Sequence, residues 1–191
     1  EGGSLAFGPD GCLYLSTGDN TCPFQSNGSA PIDEGKNRKW YDAQRTSANT
    51  NDLRGKILRI RPTDTGGYTI PKGNLFPKGT DKTRPEIYVM GCRNPYRISV
   101  DQKTNYLYWG QVGPDAGSDS SRGPRGYDEI NQARKAGNFG WPYFSADNKP
   151  YTDYDFAEKK TGKKFDFKRP INTSINNTGL TELPPAQPAF W

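Results

Sequence analysis

The strongest constraint on the fold is a hairpin pattern that appears twice. Leu5-Ala6-Phe7 and Leu13-Tyr14-Leu15-Ser16 are short runs with alternating apolar positions, and Gly8-Pro9-Asp10-Gly11 lies between them. Proline sets one turn angle and glycine accepts positive φ, so this is a turn flanked by two strands. A related unit runs from Ile98-Ser99-Val100 through Asp101 to Asn105 and on to Tyr106-Leu107-Tyr108-Trp109-Gly110. Leu5 and Ile98 are 93 positions apart, two periods of about 46, and periods of about 40 to 50 residues mark the blades of β-propellers. Gly55-Lys56-Ile57-Leu58-Arg59-Ile60 alternates in the same way and is followed by a Thr63–Gly67 turn and Tyr68-Thr69-Ile70, and Glu86 to Met90 is a further short strand. The expected fold is all-β, a partial six-bladed β-propeller with about four blades' worth of residues and helix only as single turns.

Composition agrees with this. Only 31% of the 191 residues are hydrophobic and Gly and Pro number 22 and 16, yet aromatics make up 13%, which separates a turn-rich β protein from a disordered one. Two stretches fall outside blades. Asp19 to Asp52 is polar with Trp40 and Tyr41 in its middle, and Lys149 to Leu183 is polar with Tyr151, Tyr154, Phe156, Phe165 and Phe167 spaced through it. Excursions this long are functional or disordered, and the interspersed aromatics favour ordered segments that pack on the scaffold.

Several function classes are excluded. The net charge of +5 is spread among acids, with Lys36, Arg38 and Lys39 following Asp33 and Glu34, so no basic face for nucleic acid is expected. No run of about 18 apolar residues exists to span a membrane. Histidine is absent, which removes Ser-His-Asp and Cys-His catalysis and every His-ligated metal or haem from these residues. Cys12, Cys22 and Cys92 form no CxxC pair, so a structural zinc site is not expected; one disulfide with one free thiol and three reduced thiols are both open. Asn27-Gly28-Ser29, Asn172-Thr173-Ser174 and Asn176-Asn177-Thr178 match the glycosylation pattern, which carries no meaning in a bacterial protein. The chain opens on Glu1-Gly2-Gly3 without a Met and stops at Pro188-Ala189-Phe190-Trp191, and both ends are expected to be cuts in a longer protein.

Six blocks in register carry a family resemblance. They are Gly3-Ser4-Leu5-Ala6-Phe7-Gly8-Pro9-Asp10-Gly11 through Thr17-Gly18-Asp19; Leu53-Arg54-Gly55-Lys56-Ile57-Leu58-Arg59-Ile60; Gly91-Cys92-Arg93-Asn94-Pro95; Gly110-Gln111-Val112-Gly113-Pro114-Asp115; Tyr127-Asp128-Glu129-Ile130-Asn131; and Gly137-Asn138-Phe139-Gly140-Trp141-Pro142. In this order they resemble the soluble quinoprotein glucose/sorbosone dehydrogenase family, with residues 1–148 matching best and 149–191 left as a polar insertion and Pro-rich continuation of one propeller domain. The long 19–52 loop and the Pro-rich end look most like large multidomain bacterial members. The resemblance implies a propeller that binds pyrroloquinoline quinone (PQQ) with calcium, oxidises the C1 hydroxyl of aldose sugars, and is periplasmic or extracellular. It also implies a histidine base two residues before Gly2, outside this chain, so residues 1–191 alone are expected to be inactive.

The resemblance places Asp19 as the carboxylate that orients this histidine; otherwise Asp19 caps the turn after Gly18. Arg93 and Asn94 are the expected cofactor-binding pair, since a guanidinium fork suits the carboxylates and quinone oxygens of PQQ; the alternative is an arginine paired with a loop carboxylate such as Asp101. Tyr96 departs from the family, where an amide is expected. Gly113 and Pro114 would offer backbone carbonyls to one calcium ion, and Glu129, the Phe139 carbonyl and Asp147 to a second, although Gly-Pro-Asp is also an ordinary turn. Trp141, Phe139 and Tyr143 read as wedges between blades rather than sugar platforms. A partial propeller exposes open sheet edges, so self-association is expected. Two other functions stay open: a non-catalytic propeller module that binds carbohydrate or protein, and a calcium-stabilised structural domain.

Overall fold

A computed structural model describes residues 2–191. It forms four sheets. The largest is built from β1 (Leu5–Phe7), β2 (Leu13–Thr17), β3 (Lys56–Pro62), β5 (Ile87–Met90) and β9 (Gly137–Asn138) in that spatial order, with β4 (Tyr68–Thr69) paired to the far end of β3. A three-stranded meander of β6 (Asn94–Val100), β7 (Leu107–Val112) and β8 (Glu129–Ala133) is the second. Two hairpins complete the set: β10 (Phe144–Ser145) with β11 (Lys149–Pro150), and β12 (Thr152–Asp155) with β13 (Lys160–Lys164). The fold is thus all-β, and among the described residues helix is confined to the single 3-10 turns Lys39–Tyr41 and Ala43–Arg45.

Both expected hairpins form. Leu5 pairs with Leu15 and Phe7 with Leu13, and Gly11 closes the turn at φ +72°, a conformation that costs a residue with a β-carbon about 1–2 kcal/mol. Val100 pairs with Leu107 and Ile98 with Trp109. All of β5 and most of β3 are buried because they lie between two cores. Ile57, Val89 and Tyr14 face the second sheet, where Trp109 stacks edge-on against Phe139 at 4.7 Å. Leu58, Ile87 and Met90 face Tyr143, Phe144 and Leu183 from the other side. Phe139, Trp141 and Tyr143 are all buried, as expected of wedges.

The two long excursions are ordered and pack on one another. Every residue from 42 to 50 is buried. Asp42, with no exposure, accepts at Oδ2 from Ser174 Oγ (2.6 Å) and Asn176 Nδ2 (2.9 Å), and Asn172 Nδ2 donates to the carbonyls of Gln44 (2.9 Å) and Ala48 (3.0 Å). Buried polar groups must be satisfied internally, so these bonds let a loop with little aliphatic content remain inside the structure. All three cysteines are free thiols, with Cys12 and Cys92 buried and Cys22 half-buried.

Candidate functional site

The site forms where the end of β2 meets the start of β6. Gly55, just before β3, ties the two together: its N–H donates to the Gly18 carbonyl (2.9 Å) and its carbonyl accepts from Cys92 N–H (3.0 Å). Asp19 N–H then donates to the carbonyl of Arg93 at 2.9 Å. This brings Asp19, Arg93 and Asn94 together on one pocket of about 360 Å³, whose walls also include Cys22, Pro31 and Trp40.

Asp19 is buried. Its Oδ2 accepts from Trp141 Nε1 at 2.9 Å and its Oδ1 from Thr21 N–H at 3.2 Å. Burial pushes its carboxyl up from the ordinary aspartate value, against the Trp141 bond and the positive field of Arg93. The bond to Thr21 is the turn-capping role left open above, and it coexists with the place in the pocket.

Arg93 is also buried. Its Nη1 donates to the Val112 carbonyl at 3.1 Å, its guanidinium carbon lies 5.7 Å from the Trp141 ring centre, and its Nη2 is 4.0 Å from Asp115 Oδ2. Asp101, the alternative partner, is not near it in this way: its Oδ1 accepts from Lys103 N–H (2.7 Å) and Thr104 N–H (3.2 Å) inside its own turn. The contact to Asp115 is long and that carboxylate is 75% exposed, so a ligand carboxylate entering the pocket competes with it on good terms. Tyr96 is half-exposed beneath the Arg97 guanidinium and is not part of the pocket wall.

The residues considered for calcium are placed differently. Gly113 and Pro114 are next to the Arg93 anchor at Val112, but both pack on residues 126–128, the segment that leads into β8. Gly113 N–H donates to Asp128 Oδ1 (2.8 Å), and the Pro114 carbonyl faces Gly126 so closely that a β-carbon there would lie 1.6 Å from it. Glu129 is buried, and both its oxygens are engaged by neutral donors: Ala146 N–H (2.6 Å) and Ser145 Oγ (3.3 Å) on Oε1, Asn131 Nδ2 (3.0 Å) and Gln111 Nε2 (3.3 Å) on Oε2. Burial still raises its carboxyl above the ordinary glutamate value. Asp147 is exposed and paired with Lys149 Nζ at 2.9 Å, and Phe139 is fixed through its N–H to the Met90 carbonyl and its ring on Trp109. Among the described residues no group of three or more His, Cys, Asp or Glu side chains is arranged to hold a metal ion. The Glu129 carboxylate already accepts from four protein donors and Asp147 is paired with Lys149, so neither side chain is left open to calcium in this arrangement.

A larger pocket of about 720 Å³ lies between the two excursions, among Asp33, Glu34, Asp153, Asp155, Tyr154 and Phe156. Arg38 Nε already holds Asp33 at 2.7 Å, and the Arg122 guanidinium covers the rings of Tyr154 and Phe156 at 4.1 and 4.9 Å. With Asp33 paired and the two rings covered, the smaller pocket, where a buried carboxylate and guanidinium meet, is the stronger candidate.

Two members of that pocket and one supporting residue escaped sequence reasoning. Trp40 was visible only as an aromatic in a polar loop and Cys22 gave no signal, while Trp141, read as a wedge, lies behind the pocket as the donor to Asp19. Only the tertiary structure brings Trp40 and Cys22, from the first excursion, next to Arg93.

An all-β propeller portion with a buried arginine, carboxylate and amide converging on a pocket at its strand ends is the class that this fold and site define. The glucose / sorbosone dehydrogenase family model matches residues 1–182, and the chain belongs to that family. It is 33% identical over 154 residues to the HIPL2 protein of Arabidopsis thaliana, covering 74% of this chain and 18% of that protein. It is 27% identical over 213 aligned positions to quinoprotein glucose dehydrogenase B of Acinetobacter calcoaceticus, covering 100% of this chain and 38% of that protein. A crystal structure of glucose dehydrogenase shares the fold, with a TM-score of 0.52 at 22% identity over 98% of this chain and 38% of the other. The chain thus spans well under half the length of these relatives.

Proposed function

We propose that this chain carries the cofactor-facing pocket of a dehydrogenase that oxidises the C1 hydroxyl of aldose sugars with PQQ as the electron acceptor. The observation that carries this is the convergence of buried Arg93 with Asn94 and Asp19 on one pocket, with Arg93 Nη2 only weakly held by an exposed carboxylate. When bound, PQQ supplies the two-electron acceptor for the oxidation. Arg93 would take a carboxylate or quinone oxygen through its guanidinium fork, and Asn94, the first residue of β6, would add an amide contact beside it. Asp19, held by Trp141 and Thr21, presents a fixed acceptor suited to orienting a basic side chain. Residues 1–191 contain no histidine, so an imidazole base would come from outside them, and we expect no turnover from these residues alone. Calcium has no part in this proposal, because the Glu129 carboxylate already accepts from Ala146, Ser145, Asn131 and Gln111 and Asp147 is paired with Lys149.

The family relationship and the quinoprotein relative support this function, and a periplasmic or extracellular location goes with it. Among the described residues no helix is long and apolar enough to cross a membrane. Self-association through β1 belongs to the same proposal: β1 is the edge strand of the large sheet and exposes Leu5 and Phe7, a combination prone to strand pairing. Sedimentation velocity over a concentration series tests it, with a strictly monomeric chain as the contrary result.

Calorimetric titration with PQQ tests the function. Binding by the wild-type chain that weakens about tenfold or more in Arg93→Ala is the expected result. Equal binding by the two proteins would sink the proposal.

A further inference from the structure

The pocket is layered. Asp19 and Arg93 form a floor only 6% and 7% exposed, whereas Trp40 on the same pocket is 62% exposed. An indole is among the largest apolar groups a protein can bury, and one left open beside a polar floor is available to a ligand.

Trp40 is open but not loose. It belongs to the Lys39–Tyr41 turn, and its carbonyl accepts from Cys22 N–H at 2.8 Å. The Arg45 guanidinium lies over its ring at 5.1 Å, itself fixed by bonds from Nε to the Lys39 carbonyl (2.6 Å) and from Nη2 to the Asn20 carbonyl (2.5 Å). The ring is thus preorganised, and holding it adds little entropy cost when a ligand arrives.

A flat apolar ring beside a carboxylate, a guanidinium and an amide matches a pyranose, which has an apolar C–H face and a rim of hydroxyls. A cationic ligand fits poorly, because the Arg93 guanidinium lines the space and that of Arg45 lies over the indole. A carboxylated cofactor is drawn to Arg93 on the floor, which leaves the rim to the sugar.

We propose that Trp40 is the stacking platform for the sugar ring, a specificity-determining residue supplied by the 19–52 excursion. This rests on the sugar-dehydrogenase function proposed for the same pocket.

The test titrates wild-type chain, Trp40→Phe and Trp40→Ala with glucose, and wild type and Arg93→Ala with PQQ. Two signals report on the sugar. One is the indole N–H resonance of Trp40 among the four tryptophans, identified by its loss in Trp40→Phe. The other is the alkylation rate of Cys22, which shares the pocket while Cys12 and Cys92 are buried. Glucose should shift the resonance and slow alkylation. Trp40→Ala should raise the glucose Kd about fivefold or more, and Trp40→Phe, which keeps a ring, should recover most of the affinity. Trp40 is exposed, so neither variant should unfold the chain, and circular dichroism checks this. A Trp40 resonance unmoved at saturating glucose, or wild-type glucose affinity in Trp40→Ala, overturns the platform. If PQQ binding still depends on Arg93 in that case, the function of the pocket stands without it. If PQQ binding does not depend on Arg93, that function fails on its own account.

Discussion

Trp141 Nε1 donates to Asp19 Oδ2 at 2.9 Å, joining residues 122 positions apart across the pocket floor. Neither group reaches bulk water, so the bond exchanges two desolvated partners for one another rather than for solvent. It also restrains a carboxyl that burial pushes upward.

Trp141→Phe keeps the ring and removes that donor. The expected loss is about 1–3 kcal/mol, read from urea denaturation. Asp19 already has a folded pKa above its unfolded value, so the native state holds the proton more tightly. Its contribution to stability therefore falls as pH rises from the ordinary aspartate range through the raised folded value. In Trp141→Phe that fall should be steeper and extend to higher pH, whereas an unchanged pH profile would show that the bond does not restrain Asp19.

Gly55→Ala should damage the pocket without touching a ligand. Gly55 has φ +66°, and a β-carbon there would lie 2.1 Å from Ser47 Oγ and 2.8 Å from the Cys92 carbonyl. Ser47 Oγ donates to that same carbonyl at 2.6 Å, so neither atom has room to retreat. The expected cost is about 2–4 kcal/mol, seen as a lower Tm, and a variant as stable as wild type would contradict it.

Lys56 is fully buried, and its Nζ donates to the carbonyls of Thr46 (2.7 Å), Arg54 (2.8 Å) and Ser47 (3.1 Å). Burial pulls its pKa down from 10.5 to about 7, against Asp52 and Cys92 and helped by Arg54. The unfolded chain therefore binds one more proton than the native state between these values, and Lys56 makes stability rise with pH across that window. Lys56→Met should abolish the rise, so its cost should be larger at pH 10 than at pH 6, where the buried charge it removes is itself unfavourable. Urea midpoints at pH 6, 8 and 10 measure both.

Asp10 and Arg59 pair behind the first hairpin. Burial alone would raise the Asp10 carboxyl, but Arg59 and the Cys12 N–H outweigh it and bring it from 3.8 down to about 2. A depressed folded pKa stabilises above the unfolded value and is lost as pH falls through the folded one, so this pair should contribute about 2 kcal/mol at neutral pH and lose it between about pH 4 and 2. Asp10→Asn should lower stability at pH 7 and leave it nearly unchanged at pH 2. Equal losses at both values would remove the electrostatic explanation.

Much of the scaffold was legible because its determinants are local. Gly8 to Gly11 closes a turn with its own residues, and alternation along Gly55 to Ile60 sorts side chains by face before any partner strand is present. Arg93, Asn94 and Asp19 were legible through the family resemblance, but their meeting depends on the long-range bonds that join the end of β2 to the start of β6. The engagement of Glu129 and Asp147 was not legible, since Ala146 N–H and Lys149 become partners only once the 144–150 hairpin has closed.

By itself the sequence determined that this is an all-β chain of propeller type, where its turns fall, and that no histidine chemistry resides in residues 1–191. Only the tertiary structure decided that Trp141 restrains Asp19, that Gly55 joins the two walls of the pocket, and that Trp40 stands open at its rim. The physical reason is range. Turn and strand preferences act over a few residues, whereas the burial and hydrogen bonds of a site depend on which distant segments exclude water together.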